Sequence, residues 1–388
     1  MYMSRRTPLA VVAGVSALAL LTACGGTGDT AASPSSPGAP GAAGGPIKVE
    51  ASDSACQVSA GTANAGNVTF EITNKGTKVT EFYLYAEGDR IMGEVENIAP
   101  GLNRRLIVEV SDAGKYQATC KPGMAGNGIR SDFTITGGAA KQTDADALKA
   151  QATKSYADYI ANNTAALEEQ TAKFVDLVKA GKVDEAKASF ATTRIYYERI
   201  EPVAEKFGDL DPAIDFREAD LEPGQAFTGF HRLEKDLWKQ GLQPDSSQIA
   251  DKLLTDVKDL VGKAKTLELT ALDLANGAKG LLDEVATGKI TGEEETFSHT
   301  DLWDFQGNLD GSKAAINSLR PLLQQKDPAL VSNLDTEFTN VQNLLSKQAV
   351  GDGFKLYTDL SQDQIKEFAS AVDALSEPLS KVAEVVAK

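Results

Sequence analysis

The chain has 388 residues, of which 55 are Asp or Glu and 39 are Lys or Arg, and its formal net charge is −16. This acidic balance argues against nucleic acid as a partner and against adhesion to anionic lipid, and it suits a protein that concentrates cations. The length leaves room for two domains, a small one and a larger one.

The N-terminal segment predicts export. Arg5 and Arg6 precede an apolar run, 8–21, that is too short to span a bilayer and has the form of a signal-peptide core. The run ends in Leu-Thr-Ala-Cys24, which resembles the bacterial lipobox. We therefore expect residues 1–24 to be a lipoprotein signal peptide lipidated at Cys24, which places the protein on the outer face of the cell membrane or in the periplasm. A plain signal peptide cleaved nearby is the alternative.

Two changes of composition follow. Residues 25–46 are almost all Gly, Ala, Pro, Ser and Thr, a composition typical of a flexible tether. Residues 47–138 then alternate apolar and polar residues in short runs broken by turn signals, most clearly at 67–74, 82–85, 105–110 and 132–136. This pattern predicts a small antiparallel β-sandwich.

From residue 143 to 388, apolar residues recur at spacings of three and four, which predicts an all-α domain of antiparallel bundles. Residues 249–261 form a clear apolar stripe after an N-cap signal at 244–246. Similar patterns predict further helices over 143–180, 183–207, 217–240, 299–325, 328–348 and 363–387. The fold class is therefore multidomain, with a β-sandwich followed by a larger helical domain.

The two histidines and two tryptophans of the chain fall in two short segments, 229–238 and 295–305. His231 and Glu234 are three apart, so on a helix both point to one face and can bind one ion. A metal site assembled from the two segments is the interpretation that we favour, because histidine is so rare in this chain.

The second segment allows two interpretations. Glu295 and His299 stand four apart and would share a face if one helix covered both. However, Ser298 with Asp301 is typical of a capping box, which would put Glu295 in the preceding loop.

Glu198 and Glu201 form a third pair at spacing three, although such a pair on a helix is usually a solvated face. Carboxylates and imidazoles that project from several helices into a bundle build the centres of di-iron proteins. This mixture of ligands suits iron or zinc and tolerates copper.

The His231-x-x-Glu234 motif and the stretch Phe-Ser-His-Thr-Asp-Leu-Trp-Asp-Phe at 297–305 resemble the imelysin-like (insulin-cleaving membrane protease-like) family. The pairing with an N-terminal sandwich resembles a component of a bacterial ferrous-iron uptake system. The resemblance implies two four-helix bundles with a metal site between them, and iron that passes to a membrane permease, with a haem-peroxidase as a further partner. The ligands that it implies are Glu198, Glu201, Asp215, His231, Glu234 and Glu295 with His299.

Residues 116–126 resemble the last ligand loop of cupredoxins, where a Cys, a His and a Met close around copper. Because residues 47–138 contain no histidine, a blue-copper centre is excluded. Cys56, Glu81, Cys120 and Met124 remain as a cluster that would suit copper, or iron through the carboxylate. The equally weighted alternative is a Cys56–Cys120 disulfide, with Met124 packed in the core.

A second pair of carboxylates in the small domain, Glu94 and Glu96, is more typical of a solvated face than of a metal site.

Three functions remain open on this basis. The leading one is the capture of iron for uptake through a permease, to which a metal-loaded small domain would add ferrous oxidation. A metallopeptidase ranks lower, because an ion held by many carboxylates is a poor Lewis acid. A metal-dependent polysaccharide-binding module is the third, and the net negative charge counts against it.

Overall fold

The structure, a computed structural model, describes residues 45–137, 144–221 and 224–388. Strands come first and helices second, and both belong to one compact unit, Gly44–Lys388. The expected lipobox cysteine, Cys24, and nearly all of the expected tether lie outside the described residues. None of the described helices combines the length and the apolar character that a bilayer crossing requires.

The strand domain is a sandwich of two sheets. One sheet has the order β2-β1-β4-β7 and the other has the order β3-β9-β8-β5-β6. The inward residues of β4 alternate as the sequence predicts, with Val68, Phe70 and Ile72 buried in the core. The nine strands are β1 Ile47–Ala51, β2 Cys56–Val58, β3 Thr62–Asn64, β4 Gly66–Asn74, β5 Thr80–Tyr85, β6 Ile91–Ile98, β7 Asn103–Val110, β8 Gly114–Pro122 and β9 Ile129–Thr136.

The four runs that predicted strands each fall on one strand, namely β4, β5, β7 or β9. The predicted fold class, an all-β domain followed by a helical domain, is confirmed. A short two-stranded hairpin, β10 Ala349–Val350 and β11 Gly353–Phe354, also lies within the helical domain.

The helical domain consists of two groups of helices. In the first group α1 packs on α2 and α5, and in the second α6, α7, α8 and α9 pack on one another; α7 also contacts α1 and α2. The helices in the described part of the chain are α1 Asp144–Lys179, α2 Val183–Glu198, α3 Leu210–Asp215, α4 Gly229–Lys235, α5 Ser246–Ala264, α6 Ala271–Thr287, α7 Asp301–Lys326, α8 Pro328–Lys347, α9 Gln362–Leu379 and α10 Val382–Ala387.

Two predicted helices are shorter than the apolar pattern indicated. The helix predicted over 183–207 ends at Glu198, and Glu201–Phe207 is a distorted 3-10 segment in which Val203 has φ −135°. Pro202 lacks an N–H and restricts the residue before it, which explains the break. Within the helix predicted over 217–240, the regular α-helix begins only at Gly229.

The sequence pattern missed α6 altogether. Its glycines, Gly277 and Gly280, weaken the helical signal. A capping box formed by Thr270 and Asp273 nevertheless starts the helix. Gly277 has a packing role, because a Cβ at this position would lie 1.9 Å from the carbonyl oxygen of Pro202.

The strand and helical domains are joined by polar contacts to backbone carbonyl groups of the sandwich. Lys206 Nζ donates to the carbonyl oxygens of Ile91 (3.0 Å) and Met92 (3.3 Å) in β6. Asn276 Nδ2 in α6 donates to the carbonyl oxygen of Ile107 at 2.9 Å, and the Ile107 side chain packs into the helical core. These contacts place β6 against the segment that follows α2.

Candidate metal centre

The centre of the helical domain is built where α3 and α4 approach closely. Gly229 opens α4 with φ 77°, and a Cβ at this position would lie 2.1 Å from the carbonyl oxygen of Ile214. Only glycine combines that backbone conformation with that contact. The approach places His231, two residues into the helix, against Asp215 at the end of α3.

His231 is buried, with 2% of its surface exposed, and stands between two carboxylates. Its Nε2 lies 3.8 Å from Asp215 Oδ1 and 3.7 Å from Glu294 Oε1, and it has no hydrogen-bond partner. The ligand atoms of these three residues lie within 4.8 Å of one another. An imidazole nitrogen and two carboxylate oxygens converge here at a spacing that one ion can draw together.

The other nitrogen of the same imidazole faces a second group of ligands. His231 Nδ1 lies 3.4 Å from Glu234 Oε2, and with Glu295 these residues form another group within 4.8 Å. Glu234 Oε1 accepts hydrogen bonds from the backbone N–H groups of Phe297 (2.8 Å) and Ser298 (2.7 Å). One oxygen of Glu234 therefore holds the loop before α7, while the other faces His231.

Two buried cations hold this acidic region together. Arg194 in α2 pairs with Glu294 (2.9 Å), Glu295 (2.5 Å) and Asp304 (3.4 Å), and it also pairs closely with Asp215 and Glu198. A buried carboxylate without a partner is costly, so the guanidinium offsets the repulsion within the cluster.

Lys289 is the second cation. Its Nζ pairs with Glu198 Oε2 at 3.1 Å and Glu201 Oε1 at 2.6 Å, and Asn308 Nδ2 donates to both carboxylates. The family resemblance implies Glu198 and Glu201 as ligands. In the structure both carboxylates are paired with Lys289 and accept hydrogen bonds from Asn308, next to the ligand groups around His231. Sequence reasoning missed Arg194, Lys289, Glu294 and Asp304; the position of Arg194 one turn before Glu198 was the available signal.

Burial and neighbouring charges act against each other on the pKa values of these groups, and the net pKa of His231, Asp215 and Glu295 is raised. Burial alone would lower the pKa of His231, but its contacts with Glu234, Glu294 and Asp215 raise it to about 9. Burial raises the pKa of Asp215 to about 7 and that of Glu295 well above its usual range. A metal ion that binds here therefore displaces protons from its ligands.

His299 belongs to neither group of converging ligand atoms. Its backbone is left-handed (φ 59°), and the structure places Glu295 in the turn before α7, so no helix aligns the two side chains. The carbonyl oxygen of His299 accepts a hydrogen bond from the backbone N–H of Tyr357 at 2.9 Å, and the Tyr357 hydroxyl donates to the carbonyl oxygen of Ile290. Tyr357 thereby fastens both ends of the loop that carries Glu295.

The capping box expected from Ser298 and Asp301 does not form. Ser298 Oγ instead donates to Glu295 Oε2 at 2.9 Å, and Asp301 Oδ1 accepts from the backbone N–H of Glu295 at 3.2 Å. Both side chains thus hold Glu295 toward the cluster.

In the strand domain, Cys56 and Cys120 form a disulfide, with Cα atoms 5.5 Å apart. The interpretation of these cysteines as thiolate ligands is therefore wrong for this state, because both sulfurs are bonded to each other. Met124 is 45% exposed and Glu81 is buried, where its Oε2 accepts from the Tyr83 hydroxyl at 3.2 Å. Met124 is thus neither packed in the core, as the disulfide alternative expected, nor joined to a thiolate pair.

Glu94 and Glu96 are not on a solvated face. Both are partly buried on β6, and with Glu205 of the helical domain their ligand oxygens lie within 4.8 Å of one another. The sequence predicted a solvated face here, and only the tertiary structure brings Glu205 to the two side chains.

Residues 152–382 match the family model of imelysin, and residues 17–134 match that of the cupredoxin-like domain. The chain is 39% identical to the iron uptake system component EfeO of Escherichia coli K12 over 346 residues, which cover 88% of this chain and 91% of that protein. The same figures hold for the proteins of that name from Escherichia coli O157:H7 and Shigella flexneri. The chain therefore belongs to the imelysin family and, with its cupredoxin-like first domain, is of the EfeO type.

Proposed function

We propose that this protein is an extracytoplasmic component of a bacterial iron-uptake system, which captures iron at the helical-domain centre and delivers it to a membrane permease. The observation that carries the proposal is the position of the buried His231 Nε2, which has no hydrogen bond and lies between the carboxylates of Asp215 and Glu294. A buried imidazole nitrogen without a hydrogen bond is costly, and a cation that replaces its proton would bind this nitrogen together with the two carboxylates.

The chemistry of the ligands favours iron as the cargo. Carboxylate oxygens with one imidazole suit iron, with zinc and copper as competitors. Asp215, His231, Glu234, Glu294 and Glu295 are the residues that we propose to bind it. The relatives that the chain resembles carry the name iron uptake system component, which agrees with this choice.

Glu198 and Glu201 have a different part in the proposal. Both carboxylates are paired with Lys289 and accept hydrogen bonds from Asn308. We therefore propose that they balance the buried charge around the centre and do not bind the ion. His299 has no place among the proposed ligands, because neither group of converging ligand atoms around His231 includes it.

Delivery requires contact with the membrane. The proposed lipid anchor at Cys24 and the tether over 25–46 would let the compact unit reach its permease from the outer face of the membrane. A haem-peroxidase of the same system remains the further partner implied by resemblance. A copper centre for ferrous oxidation built on Cys56 and Cys120 is not part of the proposal, because these residues form a disulfide.

A peptidase activity has less support. Hydrolysis requires a base free to take a proton from water. Glu234 Oε1 already accepts two backbone hydrogen bonds, and its Oε2 faces His231, so it is poorly placed as a mobile base.

The experiment compares the unit Gly44–Lys388 with His231→Ala and His299→Ala, the two single-histidine variants of the same chain. Bound iron is measured anaerobically as Fe²⁺ and in air as Fe³⁺, with Zn²⁺ and casein cleavage in parallel. We expect tight iron binding that His231→Ala lowers at least tenfold and His299→Ala leaves unchanged. Weak iron binding with tight zinc binding and chelator-sensitive cleavage would refute the proposal in favour of a peptidase.

A further inference from the structure

Glu294, one of the proposed iron ligands, has a different set of neighbours on each of its two carboxylate oxygens. Its Oε1 lies 3.7 Å from His231 Nε2 and pairs with Arg194 at 2.9 Å. Its Oε2 lies 3.4 Å from Arg217 Nη1. Arg217 therefore occupies the second oxygen of this ligand, while the first oxygen faces the imidazole.

Arg217 differs in its exposure from the other two cations at Glu294. The side chains of Arg194 and Lys289 are completely buried, whereas 22% of the Arg217 side chain is exposed. Arg217 also lines a cavity of about 270 Å³ between the sandwich and the helical domain, together with Glu294 itself. Of the three cations, Arg217 is thus the one with open space beside it when another cation approaches the carboxylate.

Arg217 has a second and stronger partner. Its Nε lies 2.6 Å from Asp220 Oδ2 and its Nη2 lies 3.1 Å from Asp220 Oδ1, which is a two-point pair. The contact with Glu294 involves one nitrogen at 3.4 Å, which is long for a charged hydrogen bond. The guanidinium can therefore leave Glu294 and remain paired with Asp220.

The other cations on the wall of this cavity are paired elsewhere. Their partners are carboxylates outside the proposed ligand set, namely Glu384 for Arg105, Asp273 for Lys206 and Asp283 for Lys279. Among the residues that the structure describes, Arg217 is thus the cavity-lining cation that pairs with a proposed ligand. An ion that enters from the cavity competes with this one guanidinium for Glu294.

We propose that Arg217 is a positioning residue that competes with the ion for Glu294, and so lowers the affinity of the centre and promotes release of its cargo. This inference rests on the proposed function. In the ion-free protein the guanidinium neutralises Glu294 Oε2, and an entering cation takes over the carboxylate while Arg217 keeps its pair with Asp220. A positive charge close to the bound ion raises the free energy of the loaded state, and its return to Glu294 favours the empty state. A protein that delivers iron needs this balance, because it must release the ion to a permease.

The test compares the full chain with Arg217→Gln, which removes the charge, and with Arg217→Lys, which keeps it. Lys279→Gln is the matched control, because it removes a charge on the same cavity that pairs with no proposed ligand. Anaerobic competition with the ferrous chelator ferrozine gives the Fe²⁺ affinity at equilibrium and the release rate from its time course.

We expect Arg217→Gln to bind Fe²⁺ about fivefold more tightly and to release it more slowly by a similar factor. Arg217→Lys and Lys279→Gln should stay within about twofold of the unchanged chain. The sign of the change separates competition from a purely structural role, because a residue that only holds Glu294 in place would weaken binding when it is lost. Weaker or unchanged binding by folded Arg217→Gln would therefore overturn the inference. An equal gain in Lys279→Gln would also overturn it, because the effect would then come from overall charge.

A second variant covers the case in which Arg217→Gln does not fold. Asp220→Asn removes the alternative partner of Arg217, so the guanidinium should stay on Glu294, weaken Fe²⁺ binding and speed release. Binding by folded Asp220→Asn that is no weaker than in the unchanged chain would contradict the inference. Fe²⁺ binding by the unchanged chain supports the proposed function whichever of these results follows, and its absence would refute the proposed function and this inference together.

Discussion

Glu234 combines two tasks that different substitutions can separate. Its Oε1 accepts from the backbone N–H groups of Phe297 and Ser298, and its Oε2 faces His231 Nδ1. Glu234→Gln keeps an acceptor oxygen but removes the charge and one ligand oxygen. Glu234→Ala removes both tasks and leaves two N–H groups without an acceptor.

The difference between the variants follows from those hydrogen bonds. A buried N–H without a partner costs about 1–3 kcal/mol, so Glu234→Ala should unfold about 2–6 kcal/mol more easily than the wild type. Glu234→Gln should lose much less, because its amide oxygen can accept both bonds. Both variants should bind iron at least tenfold more weakly, which corresponds to about 1.4 kcal/mol of binding free energy.

Urea unfolding gives the first quantity, and iron titration of the folded variants gives the second. Equal free energies of unfolding for Glu234→Gln and Glu234→Ala would show that the loop before α7 does not depend on this carboxylate. Wild-type iron affinity in Glu234→Gln would remove Glu234 from the ligands.

Three further outcomes test the framework around the centre. Replacing Cys56 and Cys120 together by Ser should destabilise the strand domain by about 4 kcal/mol in a chain-entropy treatment, since the bridge spans a separation of 64 residues, and urea unfolding measures the loss. The same double variant should keep its iron affinity at the helical centre, because neither cysteine is among the proposed ligands. Gly277→Ala should lower the melting temperature, because the new Cβ would meet the Pro202 carbonyl oxygen, whereas Gly280→Ala, with open space around it, should raise stability by about 0.5–1 kcal/mol.

The fold was largely predictable because its signals are local. Alternation over 67–74 specifies β4, and the apolar stripe over 249–261 specifies most of α5. The breaks were harder to place, since the helical periodicity continues through Pro202 and into the segment before Gly229. Two glycines in α6 weaken the helical pattern of its sequence, although a capping box and packing stabilise the helix.

The candidate site was predictable only where its residues are neighbours on one element. The spacing of His231 and Glu234 on α4 is a local property, so the sequence could present them as a pair. Glu294 and Arg194 join them through tertiary contacts between distant segments, which no spacing encodes. The expectation for His299 depended on helical alignment with Glu295, and the left-handed backbone at His299 removes that alignment.

Tyr357 gives the order in which the centre can be completed. The loop over 289–299 supplies Glu294, Glu295 and the N–H groups that hold Glu234, and Tyr357 binds carbonyl oxygens at both of its ends. A chain synthesised from its N-terminus contains every proposed ligand of the centre long before it contains this tyrosine. We therefore expect ion binding to depend on a residue that is added after every ligand is in place, and a product that stops short of residue 357 would carry the ligands without the contacts that arrange them.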